Sequence, residues 1–275
     1  MAAIRHTERL LLDPNQAIVT MRDDQDQASV FLPASMLRET RRQRGLPPGA
    51  VPPVCVLDPD GDIVRFLRAT GSRQSPVWAC YHSEMWVAEL DSAPIGVVGC
   101  AVGAPYAVLV AEQCFASGCQ LLVSITSAGQ IAHDLPPQGY ILIDRALRGE
   151  GTSHCYLPAA ATVDADPALI ERVSTGLAAR NVELRQGTTW TTDAPYRETA
   201  SALDHARASG ALAVEMEAAA LYALGRSKSL PIVCLAHVTN QMGQIDGDFD
   251  KGHNAGAREA IRIIDAIAEA VLPIL

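Results

Sequence analysis

The distribution of apolar residues changes at about residue 50. Before that point the chain is mostly polar and predicts one helix over Pro33–Arg44, which the prolines and glycines of the GLPPGAVPP segment end. After it come short runs of apolar and β-branched residues, which are typical of strands buried on both faces. These runs are VCVL, IGVVGCAVG, LLVSIT, YILIDRAL, VELRQGTTW, ALAVEM and IVCLAHVT.

Segments with helical spacing separate these runs. Asp166 followed by Pro167 predicts a capped helix start, and apolar residues recur at spacings of three and four from Ala257 to Val271. This alternation indicates a single α/β domain with a central mixed or mostly parallel β-sheet flanked by helices. We therefore predict an N-terminal appendage over residues 1–50, followed by this domain over residues 51–275.

Composition and charge narrow the choice of partners. Of the 275 residues, 48% are apolar, and 22 Lys and Arg against 31 Asp and Glu give a net charge of −9. A protein that binds nucleic acid needs clustered basic residues, but the one dense group, Arg41, Arg42 and Arg44, fits a solvated helix face. We therefore expect a small-molecule ligand and no nucleic-acid partner.

Cysteines and apolar run lengths indicate the compartment. The seven cysteines have no CxxC spacing and fit reduced core residues, so we expect no metal site. No stretch approaches the roughly 18 uninterrupted apolar residues of a membrane span, and residues 1–16 lack the order of a signal peptide. The sequence therefore predicts a cytoplasmic protein without a membrane segment.

Candidate chemistry follows the predicted strands, because ligands of open α/β sheets collect at the carboxyl ends of the strands. Glu215-Met216-Glu217 places two carboxylates between a strand and an alanine-rich helix. Such carboxylates can accept hydrogen bonds from the vicinal hydroxyls of a sugar, and the methionine can pack against it. Alternatively, one glutamate caps the helix and Met216 belongs to the core.

Four segments resemble the nucleoside phosphorylase superfamily, which contains purine and uridine phosphorylases and hydrolytic nucleosidases. They are MWVAELDSAPIGVVGCAVGAP, GTTWTTDAPYRET, AVEMEAAALYALG and IVCLAHVTNQ, and overall they are most similar to the uridine phosphorylases. The resemblance implies a nucleoside phosphorylase-like fold. It also implies cleavage of the N-glycosidic bond of a purine or pyrimidine nucleoside.

The resemblance further implies roles for individual residues. Glu217 would bind the 2′- and 3′-hydroxyls of ribose, Met216 would pack under the sugar, and Glu215 would support the same wall. Asn240 would donate a hydrogen bond to the departing base, at a position where many relatives carry an aspartate. The base would lie near Trp190, Thr192, Asp193 and Tyr196. Asp193 could equally hold its own loop.

The second substrate is left open by the sequence. Phosphorylases of the superfamily carry an arginine at the position of Ser124, and without it phosphate loses a charge-assisted contact. The loop DPDGD adds negative charge, although one of its aspartates could act as a base toward water. Arginines that could replace the missing one are Arg65, Arg68, Arg73 or one from a neighbouring subunit. The phosphate or water site is expected at Gly103, Ser124, Thr126, Ser127 and Asp58.

We therefore expect an enzyme of this superfamily, with phosphorolysis as the default reaction. Phosphate-independent hydrolysis and nucleoside binding without catalysis are the alternatives. We expect no cofactor, with inorganic phosphate as a possible co-substrate. The resemblance also implies a homo-oligomer, because members of the superfamily often complete the pocket with a residue from a neighbouring subunit.

Overall fold

The computed structural model describes residues 25–136, 138–242 and 248–275, so the segment compared above with signal peptides lies outside it. The α-helices of this part of the chain are α1 Pro33–Arg44, α2 Asp62–Ala69, α3 Ala104–Ala116, α4 Pro167–Ala179, α5 Ala200–Ala208, α6 Ala218–Lys228 and α7 Ala257–Val271. The strands are β1 Val54–Asp58, β2 Arg73–Gln74, β3 Met85–Glu89, β4 Pro94–Gly99, β5 Leu121–Gln130, β6 Tyr140–Gly149, β7 Thr162–Asp164, β8 Arg185–Thr192, β9 Ala211–Glu215 and β10 Ile232–Asn240.

The strands form one mixed sheet, in the order β10-β6-β8-β9-β5-β1-β4-β3-β2, with β7 paired to β6. Strand β1 lies parallel to β4 and β5, β6 parallel to β8, and β8 parallel to β9, whereas β3 is antiparallel to β4. Strand β5 also pairs with β10, so β5, β10, β6, β8 and β9 close into a ring. The predicted α/β class with a mixed sheet is confirmed.

Strand β5 is long, and different parts of it pair with three neighbouring strands. Its first residues pair with β1 on one side, and Gly129 and Gln130 at its end pair with β9. Strand β10 runs along its other side for nearly its whole length. The carboxyl end of β5 therefore lies between the end of β10 and the start of α6.

Helix α6 packs into the interior, where Ala218 and the six residues that follow are all buried. The Tyr222 hydroxyl donates a hydrogen bond to the carbonyl of Ile143 in β6 at 2.5 Å and accepts one from the Cys234 amide in β10 at 3.0 Å. Both bonds are buried, so they fix α6 against two strands of the ring. They also set the position of the helix start, where the two glutamates lie.

The N-terminal helix α1 rests on α3 and buries Leu37 and Thr40. Whether residues 1–50 form a separate appendage stays a prediction.

All seven cysteines are free thiols. In the ranges that the structure describes, no helix combines the length and apolar character needed to cross a membrane.

Candidate active site

The start of α6 is held by Glu215, the last residue of β9. Its Oε1 accepts hydrogen bonds from the hydroxyls of Thr189 at 3.1 Å and Thr191 at 2.5 Å. Its Oε2 accepts from the backbone amides of Glu217 and Ala218, both at 2.7 Å. Burial is the largest influence on the Glu215 carboxyl and raises its pKa. Both carboxylate oxygens of Glu215 are therefore occupied by groups of the protein itself. This matches the alternative in which one of the two glutamates caps the helix.

Glu217 is different, because one of its oxygens is unshared. Its Oε1 accepts a hydrogen bond from the Gly103 amide at 2.7 Å, whereas Oε2 has no partner among the described residues. The side chain is only 1% exposed. Burial, followed by the negative charge of Glu215, raises the pKa of Glu217 to about 8. A buried acceptor without a partner is costly, so this oxygen is suited to a ligand hydroxyl.

Gly103 approaches Glu217 from the turn between β4 and α3. Its φ of 85° lies in the left-handed region, where a residue with a Cβ is strained. The glycine therefore allows the turn to direct its amide at the carboxylate. Met216, between the two glutamates, is half-buried.

Strand β5 brings Ser124 and Thr126 to the same edge of the sheet. Ser124 is 1% exposed, and its hydroxyl has no partner among the described residues. Thr126 is also buried. Strand β5 therefore offers small neutral hydroxyls at this edge of the sheet.

The acidic loop after β1 lies against the end of β5. Asp60 accepts hydrogen bonds from both the amide and the hydroxyl of Ser127, each at 2.8 Å. Lys251 Nζ lies 3.3 Å from Asp60 Oδ1 and 2.6 Å from Asp62 Oδ2. Asp58 instead accepts from the Val64 amide at 2.9 Å and so holds the start of α2. Burial raises the pKa of Asp58 to about 6.

A small cavity of about 20 Å³ lies under this loop. The polar residues that line it are Asp58, Asp60, Asp62, Thr126, Ser127, Tyr140 and His237. Tyr140 and His237 form its floor as a stacked pair, with ring centroids 4.3 Å apart and an interplanar angle of 6°. Burial, followed by the charge of Lys251, lowers the pKa of His237.

Asn240 ends β10 and forms a tight turn with the residues after it. Its Oδ1 accepts from the Met242 amide at 3.0 Å, and its Nδ2 donates to the Thr239 hydroxyl at 3.3 Å. Met242 and Trp190 both pack against a small apolar cluster that includes Val214. Trp190 pairs with Val214, Val214 with Gly129 and Gly129 with Asn240, so Trp190 and Asn240 lie at the same end of the sheet. Their role as a base site stays a prediction.

The other residues expected at the base site contact neighbouring backbone or face solvent instead. Thr192 is buried and accepts from the Ala194 amide at 3.2 Å, and Asp193 accepts from the Gly151 amide at 2.9 Å, which matches the loop-holding alternative. Tyr196 is 100% exposed and is not brought to the site. Lys251 and the two threonines bound to Glu215 were not anticipated. Nothing in the DFDKGHN segment marks Lys251 as a site residue.

The fold is a mixed α/β sheet with two buried carboxylates, Glu215 and Glu217, between strand β9 and helix α6. The family model described as the Phosphorylase superfamily matches residues 55–271, and the chain belongs to this superfamily. The predicted superfamily is therefore confirmed.

Individual relatives include both phosphorylases and nucleosidases. The chain is 26% identical over 238 residues to a uridine phosphorylase of Thermococcus kodakarensis, covering 74% of this chain and 83% of that protein. It is 27% identical over 175 residues to a guanosine phosphorylase of Halorubrum lacusprofundi, covering 62% of this chain and 68% of that protein. An AMP nucleosidase from Bacteroides thetaiotaomicron shares the fold, with a TM-score of 0.65 and 19% identity over 81% of this chain and 90% of that one.

Proposed function

We propose that this chain is an enzyme that cleaves the N-glycosidic bond of a nucleoside, with the ribose bound at Glu217. The observation that carries the proposal is the unshared Glu217 Oε2, which is buried at the start of α6 while Oε1 is fixed by Gly103. The names of the relatives, uridine phosphorylase, guanosine phosphorylase and AMP nucleosidase, support the same reaction.

The chemistry of the reaction suits a fixed carboxylate. Breaking the bond between the sugar and the base leaves positive charge on the sugar, so a nearby carboxylate stabilises the transition state more than the ground state. In the ionised state Glu217 can also accept hydrogen bonds from the ribose hydroxyls. Glu215 has a positioning role in this proposal, because it orients the helix start that carries Glu217.

The departing base requires a hydrogen-bond donor, and we assign this role to Asn240. The amide donates to Thr239 at 3.3 Å, a long bond that a ring nitrogen or carbonyl of the base can replace. Trp190 and Met242 offer apolar surface beside it. Thr192 and Asp193 support the loop that follows β8 in this proposal.

A nucleoside panel tests the proposed function. Purified protein is incubated with uridine, guanosine, adenosine and AMP, with and without phosphate, and free base is separated by chromatography. We expect base release from at least one of them. Nucleoside binding without base release under any condition would instead identify a binding protein.

The variant Glu217→Gln tests the assigned residue. Glutamine can still accept the Gly103 hydrogen bond but never carries a negative charge, so above about pH 8, where Glu217 is ionised, we expect base release to fall about 10²- to 10³-fold. Glu171→Gln, on the exposed face of α4, is the matched control and should retain full activity. Equal activity of the two variants would remove Glu217 from the reaction.

Two further features belong to this proposal. We place the enzyme in the cytoplasm, because seven free thiols suit a reducing compartment. We also propose a homo-oligomer, supported by an exposed apolar strip at the start of α3, formed by Pro105 and Leu109 of the helix and by Val102 in the turn before it. The strip begins one residue before Gly103, so a second copy bound there would lie beside the ribose site.

A further inference from the structure

The donors that surround Asp60 form an anion-binding arrangement that a side chain of the same protein already fills. The Ser127 amide donates to Asp60 Oδ2, and the Ser127 hydroxyl donates to Oδ1. Lys251 adds a positive charge 3.3 Å from Oδ1. Backbone amides, hydroxyls and lysines are also the groups with which proteins bind phosphate.

No arginine supplements these donors in the described part of the chain. Arg65 forms an ion pair with Asp62, and Arg68 stacks on the Trp86 ring at 4.9 Å. Arg73 is exposed in β2, at the far edge of the sheet. Arg65 is therefore already paired within the acidic loop, and Arg68 and Arg73 lie away from the Ser127 donors.

The space beside Asp60 suits water better than phosphate. A cavity of about 20 Å³ is large enough for one water molecule, which needs two to four polar partners. Ser127, Thr126 and the aspartates of the loop supply such partners. A phosphate dianion has five heavy atoms and would meet the charges of Asp58, Asp60 and Asp62 at short range.

We infer that Asp60 occupies the anion position of this site, so that the second substrate is water and not phosphate. The inference rests on the proposed function for its reaction. The water oxygen forms a bond to C1′ of the ribose, and the bond from C1′ to the base nitrogen breaks, with its electron pair going to the base. The proton that the water loses passes to a carboxylate of the cavity, and the base takes up a proton from solvent. The products are free base and ribose.

The first test identifies the sugar product. Wild-type protein is incubated with its nucleoside in millimolar phosphate, and the sugar is identified by ³¹P and ¹H nuclear magnetic resonance. We expect ribose without ribose 1-phosphate, and the same rate of base release with and without phosphate. Formation of ribose 1-phosphate would overturn the inference while leaving the proposed function intact.

The second test measures phosphate binding by calorimetry and does not depend on activity. Wild type should bind no phosphate, whereas Asp60→Ala should bind it through the freed Ser127 donors and Lys251. Asp62→Ala is the matched control, because it removes the same charge from the same loop but leaves the two Ser127 bonds in place. It should bind no phosphate.

The outcomes separate the two proposals. Phosphate binding by wild type would contradict the role of Asp60. Equally strong binding by Asp62→Ala and Asp60→Ala would contradict it too. Both results would hold even if no nucleoside were cleaved. Base release from no nucleoside would contradict the proposed function alone. If Asp60→Ala does not fold, Asp60→Ser replaces it, since its shorter, uncharged side chain also frees the Ser127 donors.

Discussion

At the scale of single residues, the two neighbouring glutamates perform different tasks. Glu215 accepts four hydrogen bonds and has no free acceptor directed at a ligand, whereas Glu217 accepts one and leaves Oε2 unshared. The difference follows from strand alternation, because Thr189 and Thr191 both face the end of β9. In the sequence, the resemblance assigned the ribose to Glu217 and a supporting role to Glu215, whereas the capping alternative did not say which glutamate would cap the helix.

We predict that Glu215→Gln destabilises the fold. Glutamine offers one acceptor oxygen in place of two, so either the backbone amides of Glu217 and Ala218 or the hydroxyls of Thr189 and Thr191 would lose their acceptor, at a cost of about 2–4 kcal/mol in the free energy of unfolding. Urea unfolding measures this cost. The exposed control Glu171→Gln should change the free energy by less than about 0.5 kcal/mol. A similar small change for Glu215→Gln would mean that the buried network does not hold the helix start.

We predict a pH-dependent stability difference between wild type and Glu217→Gln. The pKa of Glu217 is raised from 4.5 to about 8 in the folded protein. Between these values the folded state therefore keeps a proton that the unfolded chain has released. The stabilisation is complete below pH 4.5 and is lost as pH rises through about 8. Urea unfolding from about pH 5 to about pH 8 should show wild type losing stability relative to the variant; parallel profiles would contradict a raised pKa.

The residue scale also shows where sequence reasoning ends. Glu217, Asn240 and Trp190 were assigned from motifs, and the structure brings them to the same end of the sheet. Tyr196 was assigned in the same way but is fully exposed, because the short helical turn over Pro195–Arg197 directs it outward. Lys251 lies in a segment without a motif, and only the folded chain brings it next to the loop after β1.

At the scale of elements, the apolar runs predicted the buried strands well. Each of the seven runs contains a strand, and the capped start of α4 at Asp166 is confirmed by bonds to the amides of Ala168 and Leu169. Strands β2, β3 and β7 were missed, since they are short and carry polar or half-exposed residues. The ring closed by β5 and β10 could not be predicted, because strand pairing between distant segments leaves no local pattern.

The contact between α4 and α7 provides an element-scale prediction. A Cβ added at Gly176 would lie 2.3 Å from the Cβ of Ala270, so the two helices approach too closely for a second methyl group. Gly176→Ala should therefore cost about 1–3 kcal/mol through overpacking, despite a gain of up to about 1 kcal/mol in helix propensity. Ala270→Gly in the same chain should recover most of this loss, as measured by urea unfolding in a double-mutant cycle. Additive effects would show that the helices do not touch here.

At the scale of the whole molecule, the candidate site depends on distant parts of the chain. The loop after β1, the turn at Gly103, the end of β5, the start of α6 and the segment around Lys251 meet at one end of the sheet. The net charge of −9 is partly concentrated here, in Asp58, Asp60, Asp62, Glu215 and Glu217. The acidic composition is thus linked to the choice between water and phosphate, and Lys251 and Arg65 offset part of this charge through their ion pairs with the loop.

The exposed strip on α3 leads to a prediction about assembly. Leu109 is 37% exposed and lies four residues after Pro105 on α3, a spacing at which apolar side chains are neighbours, and Val102, in the turn before the helix, is 52% exposed. If a second copy covers this strip, wild type should have a mass at a multiple of 29.3 kDa in size-exclusion chromatography with light scattering. Leu109→Glu should give the single-chain mass, because it places a charge in the interface. Ile274→Glu, at an exposed apolar residue near the C-terminus, is the control and should leave the mass unchanged. A single-chain mass for wild type would show that the ribose site is complete within one copy.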